Sequence, residues 1–225
     1  MSSDKNNNEK PRIKVNKNGP YTVSGSAQLS EQIIGVDSEG QSHGWKQDKG
    51  YETGEHYALC RCGGSKNKPF CDGSHLKNGF NGTETAPIDA LTHRIEGPGL
   101  DMVDAESLCA SARFCDRAGG ISYLIETSDD KESRQTAIEE ACDCPSGRLT
   151  ACDKEGHAIE PKFKPSIGAV EDTQMGCNGP LWLRGGIPVE SADGATYKVR
   201  NRTTLCRCGK SNNKPFCDGS HLPPE

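Results

Sequence analysis

Two segments of this chain are almost identical: Cys60-Arg-Cys-Gly-Gly-Ser-Lys-Asn-Lys-Pro-Phe-Cys-Asp-Gly-Ser-His75 and Cys206-Arg-Cys-Gly-Lys-Ser-Asn-Asn-Lys-Pro-Phe-Cys-Asp-Gly-Ser-His221. They agree at fourteen of sixteen positions, and each holds three cysteines and one histidine at the same spacing. Both are too rich in Gly, Pro, Asn and Asp for regular secondary structure. Loops this closely repeated indicate a bound ligand, so we expect one metal centre in each copy, held by three cysteines and one histidine.

The candidate ligands of each loop fall into two pairs. One residue separates Cys60 from Cys62, so both thiolates of an extended loop can approach one metal atom. Cys71 and His75 lie four residues apart and would share one face of a short helical turn that Asp72 is placed to cap. Two pairs suit a two-metal cluster, because a binuclear iron-sulfur rhombus takes two ligands per iron. The second loop repeats the arrangement with Cys206, Cys208, Cys217 and His221.

The pattern C-x-C-x2-S-x3-P-x-C-D-G-S-H resembles the signature of the CDGSH iron-sulfur family, the mitoNEET-like group, and both copies match it at every position. The resemblance implies a [2Fe-2S] cluster in each loop. It also implies paired units related by a two-fold axis, which two copies in one chain would build as a pseudo-dimer inside a monomer. The ligands it implies are Cys60, Cys62, Cys71, His75, Cys206, Cys208, Cys217 and His221.

Two other uses of the cysteines compete with this interpretation. Zinc also accepts three cysteines and one histidine, but its cysteine pairs are usually two to four residues apart, and a structural zinc protein would be colourless. Disulfides are the other use. The sequence shows no apolar run typical of a signal peptide and no stretch of eighteen apolar residues that could span a membrane. We therefore expect free thiolates in a reducing cytoplasm.

Composition limits the size of the core and the class of partner. Only 32% of the 225 residues are hydrophobic, so we expect no large single core and a contribution of metal bonds to the fold. A net charge of −5 argues against a protein that binds nucleic acid without regard to sequence.

The repeated unit extends beyond its loop. The segments 18–25 and 178–185 both predict a turn followed by a short strand, and strand-like runs at 56–60 and 197–206 precede the two loops. We expect an α+β fold with short β-strands and irregular metal-binding loops. The predicted units are a disordered tail over 1–10, a first CDGSH domain over 11–80, a ferredoxin-like middle module over 86–170 and a second CDGSH domain over 175–225.

The middle module has its own predicted elements. Asp129-Asp-Lys-Glu132 resembles a capping box, which predicts a helix that begins there and continues to about Ala141. The segment Ile121-Ser-Tyr-Leu-Ile125 before it predicts a strand.

Cysteines of the middle module predict a third centre. Cys109 and Cys115 are followed far downstream by Cys144-Pro, a pattern that resembles single-cluster ferredoxins of the [3Fe-4S] type and the divergent [4Fe-4S] mono-cluster domain. Ala112 stands where a middle cysteine would be. The resemblance implies a [3Fe-4S] or [4Fe-4S] cluster on Cys109, Cys115 and Cys144. Cys142 is either a fourth ligand or a plain thiol, and the other alternative is a spacer without a cluster.

The pattern predicts a protein that passes electrons to a redox partner protein. The alternative is a carrier that gives its clusters to an apo-protein acceptor, or a sensor of redox state or pH. Imidazole titrates near neutrality, so the sensor hypothesis predicts that protonation of His75 or His221 releases a cluster as the pH falls through about 6. We find no nucleophile elbow, phosphate-cradling loop or dinucleotide motif, and we therefore do not expect an enzyme.

Overall fold

The structure is a computed structural model, and it describes residues 10–223. In chain order the strands are β1 (Arg12–Val15), β2 (Tyr21–Ser24), β3 (Gln28–Val36), β4 (Ser42–Tyr51), β5 (His56–Leu59), β6 (His93–Glu96), β7 (Asp101–Asp104), β8 (Leu149–Cys152), β9 (Ala158–Ile159), β10 (Ser166–Asp172), β11 (Cys177–Arg184), β12 (Val189–Glu190) and β13 (Arg202–Leu205). The helices are α1 (Ile121–Glu126) and α2 (Lys131–Asp143), and 3₁₀-turns lie at Ser74–Leu76, Glu106–Leu108 and Phe114–Gly119. The described part of the chain is mostly β with a small helical part. This agrees with the predicted α+β fold of short strands in its general composition.

The strands form three sheets. The first has the order β12-β1-β2-β5, the second β13-β11-β10-β3-β4 and the third β6-β7-β8-β9. The first and second sheets each lead into one of the repeated loops, because β5 ends just before Cys60 and β13 ends just before Cys206. The third sheet belongs to the segment between the repeats. The predicted division into units over 11–80, 86–170 and 175–225 stays a prediction, and its tail over 1–10 lies outside the described residues except for Lys10.

The first two sheets exchange strands. β3 lies in the first half of the sequence but pairs in parallel with β10 of the second sheet, with Gln28 opposite Ser166. In return, β12 from the second half pairs in parallel with β1 of the first sheet, with Val189 opposite Ile13. The antiparallel pairs β1-β2 and β10-β11 lie beside these exchanged strands. Neither sheet is complete without a strand from the other half of the sequence.

One apolar core lies between these sheets and draws on both halves. In β1 burial alternates, with Ile13 and Val15 fully buried and Arg12 and Lys14 exposed, as a half-buried strand requires. Leu181 and Leu205 of the second half belong to the same buried cluster. Full burial of a side chain of this size contributes about 1.5–3 kcal/mol. The two halves are therefore joined by hydrophobic packing as well as by the exchanged strands.

The middle segment packs α1 and α2 on the third sheet around a second, smaller core. The predicted helix is present as α2, but its cap lies one residue later than the capping box predicts: the Asp130 side chain accepts a hydrogen bond from the Ser133 N–H at 2.8 Å, and α2 begins at Lys131. The predicted strand over 121–125 is wrong, because these residues form α1. Leu124 and Ile125 are buried whereas Tyr123 is 54% exposed, so the apolar spacing follows the period of a helix.

An aromatic cluster attaches the middle segment to the second sheet. The Trp45 ring of β4 lies 4.5 Å from that of Trp182 on β11 and 5.0 Å from that of Phe114, measured between ring centroids. Trp45 Nε1 also donates to the carbonyl oxygen of Asp143 at 2.9 Å. Phe114 is 2% exposed and lies next to Cys115, so the cluster positions the cysteine-bearing loop of the middle segment against the second half. No helix among residues 10–223 is long and apolar enough to cross a membrane.

Tyr21 provides a polar link between the halves. Its fully buried hydroxyl lies 2.9 Å from the Cys206 carbonyl oxygen and 3.0 Å from that of Pro215, and it donates to them from β2. Burial raises the pKa of Tyr21 well above its usual range, so the hydroxyl keeps its proton.

We predict that Tyr21→Phe lowers the free energy of unfolding by about 1–2 kcal/mol, because two buried carbonyl groups lose a donor. Chemical denaturation measures the change. Tyr123→Phe is the matched control, since Tyr123 is 54% exposed, and it should change stability little. Equal effects of the two variants would contradict the role of the Tyr21 hydroxyl.

Candidate metal centres

Backbone hydrogen bonds fold the two repeated loops in the same way. In the first loop (residues 60–75), Cys60 N–H donates to the Pro69 carbonyl at 2.8 Å and Cys71 N–H donates to that of Ala58 at 2.9 Å. In the second loop (residues 206–221), the corresponding bonds run from Cys206 to Pro215 at 2.8 Å and from Cys217 to Thr204 at 3.0 Å. Each loop thus returns its third cysteine to the end of the strand that carries the first.

The four candidate donors of each loop are brought together as two pairs. In the first loop, the Sγ atoms of Cys60 and Cys62 are 4.0 Å apart, and Cys71 Sγ lies 3.5 Å from His75 Nδ1. In the second loop the corresponding distances are 3.7 Å, between Cys206 and Cys208, and 3.4 Å, between Cys217 and His221. The predicted pairing is therefore present in both copies.

The Asp72 side chain holds the turn that carries the histidine by hydrogen bonds. The sequence predicts a helical turn capped by Asp72, but the structure has a 3₁₀-turn preceded by Gly73. The Asp72 carboxylate accepts from Ser74 N–H at 3.0 Å and from Lys66 N–H at 2.8 Å. The turn is a single 3₁₀-turn over Ser74–Leu76, and Gly73 precedes it with a φ of 83°. Asp218 makes the corresponding bonds to Ser220 and Asn212 in the second loop.

Backbone N–H groups point at the sulfur atoms. Gly64 N–H donates to Cys62 Sγ at 3.4 Å, and Gly73 N–H donates to Cys71 Sγ at 3.4 Å. In the second loop, Lys210 N–H donates to Cys208 Sγ at 3.5 Å. Such donors stabilise thiolates, the form of cysteine that binds metal.

The pKa values of the candidate ligands in the second loop are shifted in different directions, and burial raises that of Cys217. A hydrogen bond from Cys208, helped by backbone N–H groups, lowers the pKa of Cys206 despite its burial. Burial lowers the pKa of His221; among the nearby charges Asp172 raises it, whereas Arg207 and Arg113 lower it. The imidazole is therefore held neutral, which is the form that ligates a metal.

The two loops meet at their first cysteine pairs. Cys62 and Cys208 form an antiparallel backbone bridge. Gly63 and Gly209 lie in this contact with φ values of 73° and 80°, and a Cβ atom on Gly209 would stand 2.7 Å from the Cys62 carbonyl oxygen. A Cβ atom on Gly63 would overlap the Cys208 carbonyl oxygen. Glycine is required at both positions by close approach as well as by backbone conformation.

The three cysteines predicted for the middle centre line one recess. Cys109, Cys115 and Cys144 all contribute to its wall, together with Ala112, the residue at the place of the absent fourth cysteine. Burial, with nearby Asp116, Cys144 and Cys109, raises the pKa of Cys115.

Cys142 does not belong to this wall. Its thiol lies 3.8 Å from the carbonyl oxygen of Ile159, and the charged groups around it are Arg202, Glu160, Asp143 and Glu139. All twelve cysteines of the chain are free thiols.

Comparison with protein families agrees with this arrangement. Residues 18–76 and 178–222 match the family described as iron-binding zinc finger of CDGSH type, and residues 95–154 match the divergent 4Fe-4S mono-cluster family. The chain is a tandem CDGSH protein with a central mono-cluster module. Comparisons with curated proteins and with solved structures give no match. Both family assignments support an iron-sulfur protein.

The donor arrangement of the tandem CDGSH protein fits iron-sulfur clusters better than zinc. Structural zinc is held by four donors around one ion. Among residues 10–223, no three His, Cys, Asp or Glu side chains come together closely enough to hold a single metal ion. Donors arranged as separate pairs match a two-iron cluster, which takes two ligands at each iron.

Sequence reasoning missed two buried arginines between the ligand cysteines. Arg61 donates to the Gly82 carbonyl at 2.7 Å, and its guanidinium lies 5.5 Å from the centroid of the Tyr21 ring. Arg207 donates to the carbonyl oxygens of Gly179 at 2.9 Å and Val170 at 2.6 Å. Both are at most 3% exposed. Both repeats have an arginine at this position, and that match was the signal by which the sequence could have revealed it.

We predict that Gly63→Ala lowers the free energy of unfolding and the amount of bound iron, because the methyl group separates the two loops. Gly194→Ala is the matched control, since Gly194 also has a positive φ but has no atom within 4 Å of an added Cβ. Both variants lose about 1–2 kcal/mol to backbone strain, and Gly63→Ala should lose about 1–3 kcal/mol more through overpacking. Thermal unfolding and iron analysis measure the difference, and equal losses would refute a tight contact between the loops.

Proposed function

We propose that the tandem CDGSH protein transfers electrons through two [2Fe-2S] clusters, each held by three cysteines and one histidine. The observation that carries this proposal is the arrangement of donors as two pairs in each loop, at 3.4–4.0 Å within each pair. The proposed ligands are Cys60, Cys62, Cys71 and His75 for the first centre, and Cys206, Cys208, Cys217 and His221 for the second.

The residues around the proposed centres suit a redox role. A [2Fe-2S] cluster supplies a redox couple whose potential depends on cluster charge, hydrogen bonds to sulfur and exposure. The N–H groups of Gly64 and Gly73 at the first loop, and of Lys210 at the second, stabilise negative charge on sulfur. Arg61 and Arg207 are buried between the first two cysteines of each loop in the sequence, and Arg207 forms an ion pair with Glu171 at 2.9 Å. A neutral imidazole in place of one thiolate makes each site less negative, which favours the reduced state.

We further propose a third cluster in the middle recess, held by Cys109, Cys115 and Cys144. The presence of three thiols and of Ala112 in one wall supports it, and a site with three cysteines suits a [3Fe-4S] cluster or a [4Fe-4S] cluster whose fourth ligand is not a cysteine.

We propose that the protein is a monomer with an internal pseudo-two-fold arrangement. The reciprocal pairing of β3 with β10 and of β12 with β1 supports this, as does the antiparallel bridge between Cys62 and Cys208. The partner would be a redox protein in the cytoplasm, and we propose no catalytic reaction of its own.

Cluster delivery to an apo-protein is the second candidate function, and the exposure of the first loop favours it. Cys71 of the first loop is half-buried, whereas Cys217 at the matching position of the second loop is 2% exposed. An acceptor could therefore reach the first centre more readily than the second.

Iron and acid-labile sulfide content tests the clusters. The two [2Fe-2S] centres alone give about four iron atoms per chain, and an occupied middle recess gives about seven or eight. Cys60→Ser or Cys206→Ser should each remove about two iron atoms, and Cys109→Ser about three or four. Cys142→Ser is the control that should keep all of them. A colourless anaerobic preparation that contains zinc would refute the proposal.

Incubation of the loaded protein with an apo-ferredoxin separates the two functions. Reversible reduction with retention of iron is expected for electron transfer. Loss of iron from the protein and its recovery in the acceptor would instead support delivery, with the first centre emptied before the second.

A further inference from the structure

The middle recess is attached to the second loop. Asn213 Nδ2 of the second loop donates to the Ser107 carbonyl oxygen at 2.7 Å. The Ser111 side chain lies so close to Gly219 that a Cβ atom there would overlap its Oγ atom. Ser111 itself lines the recess. The wall of the recess and the turn that carries His221 are therefore in direct van der Waals contact.

Arg202 makes a second connection between the recess and the second half of the chain. It lies on β13, four residues before Cys206, and its side chain is fully buried. Its guanidinium donates to the carbonyl oxygen of Cys144 at 2.7 Å and to that of Ala141, and it pairs with Glu160 at 2.8 Å. Strand β13, which leads into the second loop, is thus hydrogen-bonded through Arg202 to the Cys144 segment of the middle recess.

Arg113 and Asp172 form an ion pair at the junction between the recess and the second loop. Arg113 lies between Cys109 and Cys115 and lines the recess. Its guanidinium lies 2.9 Å from Asp172, whose side chain is 1% exposed at the end of β10. Arg113 Nη1 also donates to the carbonyl oxygen of Ser111 at 3.0 Å, and the Ser111 side chain contacts Gly219, two residues before His221.

Within residues 10–223, the contacts of the middle recess described above all reach the second loop or β13 and β10. Burial raises the pKa of Cys60, with smaller effects from Ser65, Cys62 and Gly63 of its own loop. In contrast, the Ser111 side chain of the recess contacts Gly219 of the second loop, and Asn213 of that loop donates to the Ser107 carbonyl oxygen. The two repeated loops therefore differ in their surroundings despite their nearly identical sequences.

We infer that the charges of Arg113 and Asp172 set the redox potential of the second centre and leave that of the first unchanged. This inference rests on the proposed function. A centre becomes more negative on reduction, so a nearby positive charge favours the reduced form and a negative charge opposes it. The second centre is thereby tuned by the middle module, and the two [2Fe-2S] centres of one chain have different potentials.

The test is redox titration followed by electron paramagnetic resonance, in two backgrounds that make the centres distinguishable. His75→Cys leaves the histidine-ligated signal to the second centre, and His221→Cys leaves it to the first. In the His75→Cys background, we expect Arg113→Gln to lower the potential of the histidine-ligated signal and Asp172→Asn to raise it. In the His221→Cys background, neither change should shift that signal.

Potential shifts of opposite sign in Arg113→Gln and Asp172→Asn indicate an effect of charge. Structural damage would shift the potential in the same direction in both variants. Arg113→Lys keeps the charge and should restore most of the potential lost in Arg113→Gln. Lys198→Gln, which breaks an ion pair with Asp89 at the surface, is the matched control and should shift neither centre.

Shifts of the same sign, equal shifts at both centres or no shift would overturn the inference while leaving the proposed function intact. Absence of any [2Fe-2S] signal from the unaltered protein would instead contradict the proposed function, and the inference would fall with it.

Discussion

The antiparallel contact between Cys62 and Cys208 is the constraint on which the arrangement of the two loops depends. It places a candidate ligand of each loop against the other loop, and only glycine fits at positions 63 and 209 beside it. The same approach of the two halves accompanies the exchange of β3 and β12 between sheets and the large apolar core to which both halves contribute. Packing, backbone pairing and the candidate centres are therefore parts of one interface, and a change that separates the loops should weaken all three.

The middle module makes two nearly identical loops inequivalent. Phe114 anchors it among Trp45 and Trp182, and Arg202 holds its Cys144 loop, so its cysteine-lined recess lies against the second loop. Cys71 of the first loop is half-buried, whereas Cys217 at the matching position of the second loop is buried. Two loops of nearly identical sequence therefore differ in the burial of one candidate ligand.

Short-range patterns predicted the local features of the sites, and long-range contacts escaped prediction. The spacing of Cys60, Cys62, Cys71 and His75 predicted the donor pairs, because pairs within four residues are set by local backbone geometry. The start of α2 was predictable to within one residue for the same reason, with Asp130 as the cap in place of Asp129. The strand predicted over 121–125 failed because five residues can fit both the period of a strand and that of a helix, and packing of Leu124 and Ile125 on the third sheet decided between them. The Arg113–Asp172 ion pair joins residues 59 positions apart, and no local pattern marks it.

Mössbauer spectroscopy of the anaerobically prepared, ⁵⁷Fe-labelled protein tests the central claim most directly, because it reports the ligands and valence of each iron. The account predicts binuclear centres in which one iron has only sulfur ligands and the other has a nitrogen ligand from histidine, with the reducing electron localised on the latter. Loss of that second iron environment in the His75→Cys, His221→Cys double variant should follow. Mononuclear iron in either loop, or identical all-sulfur sites in the unaltered protein, would contradict the account.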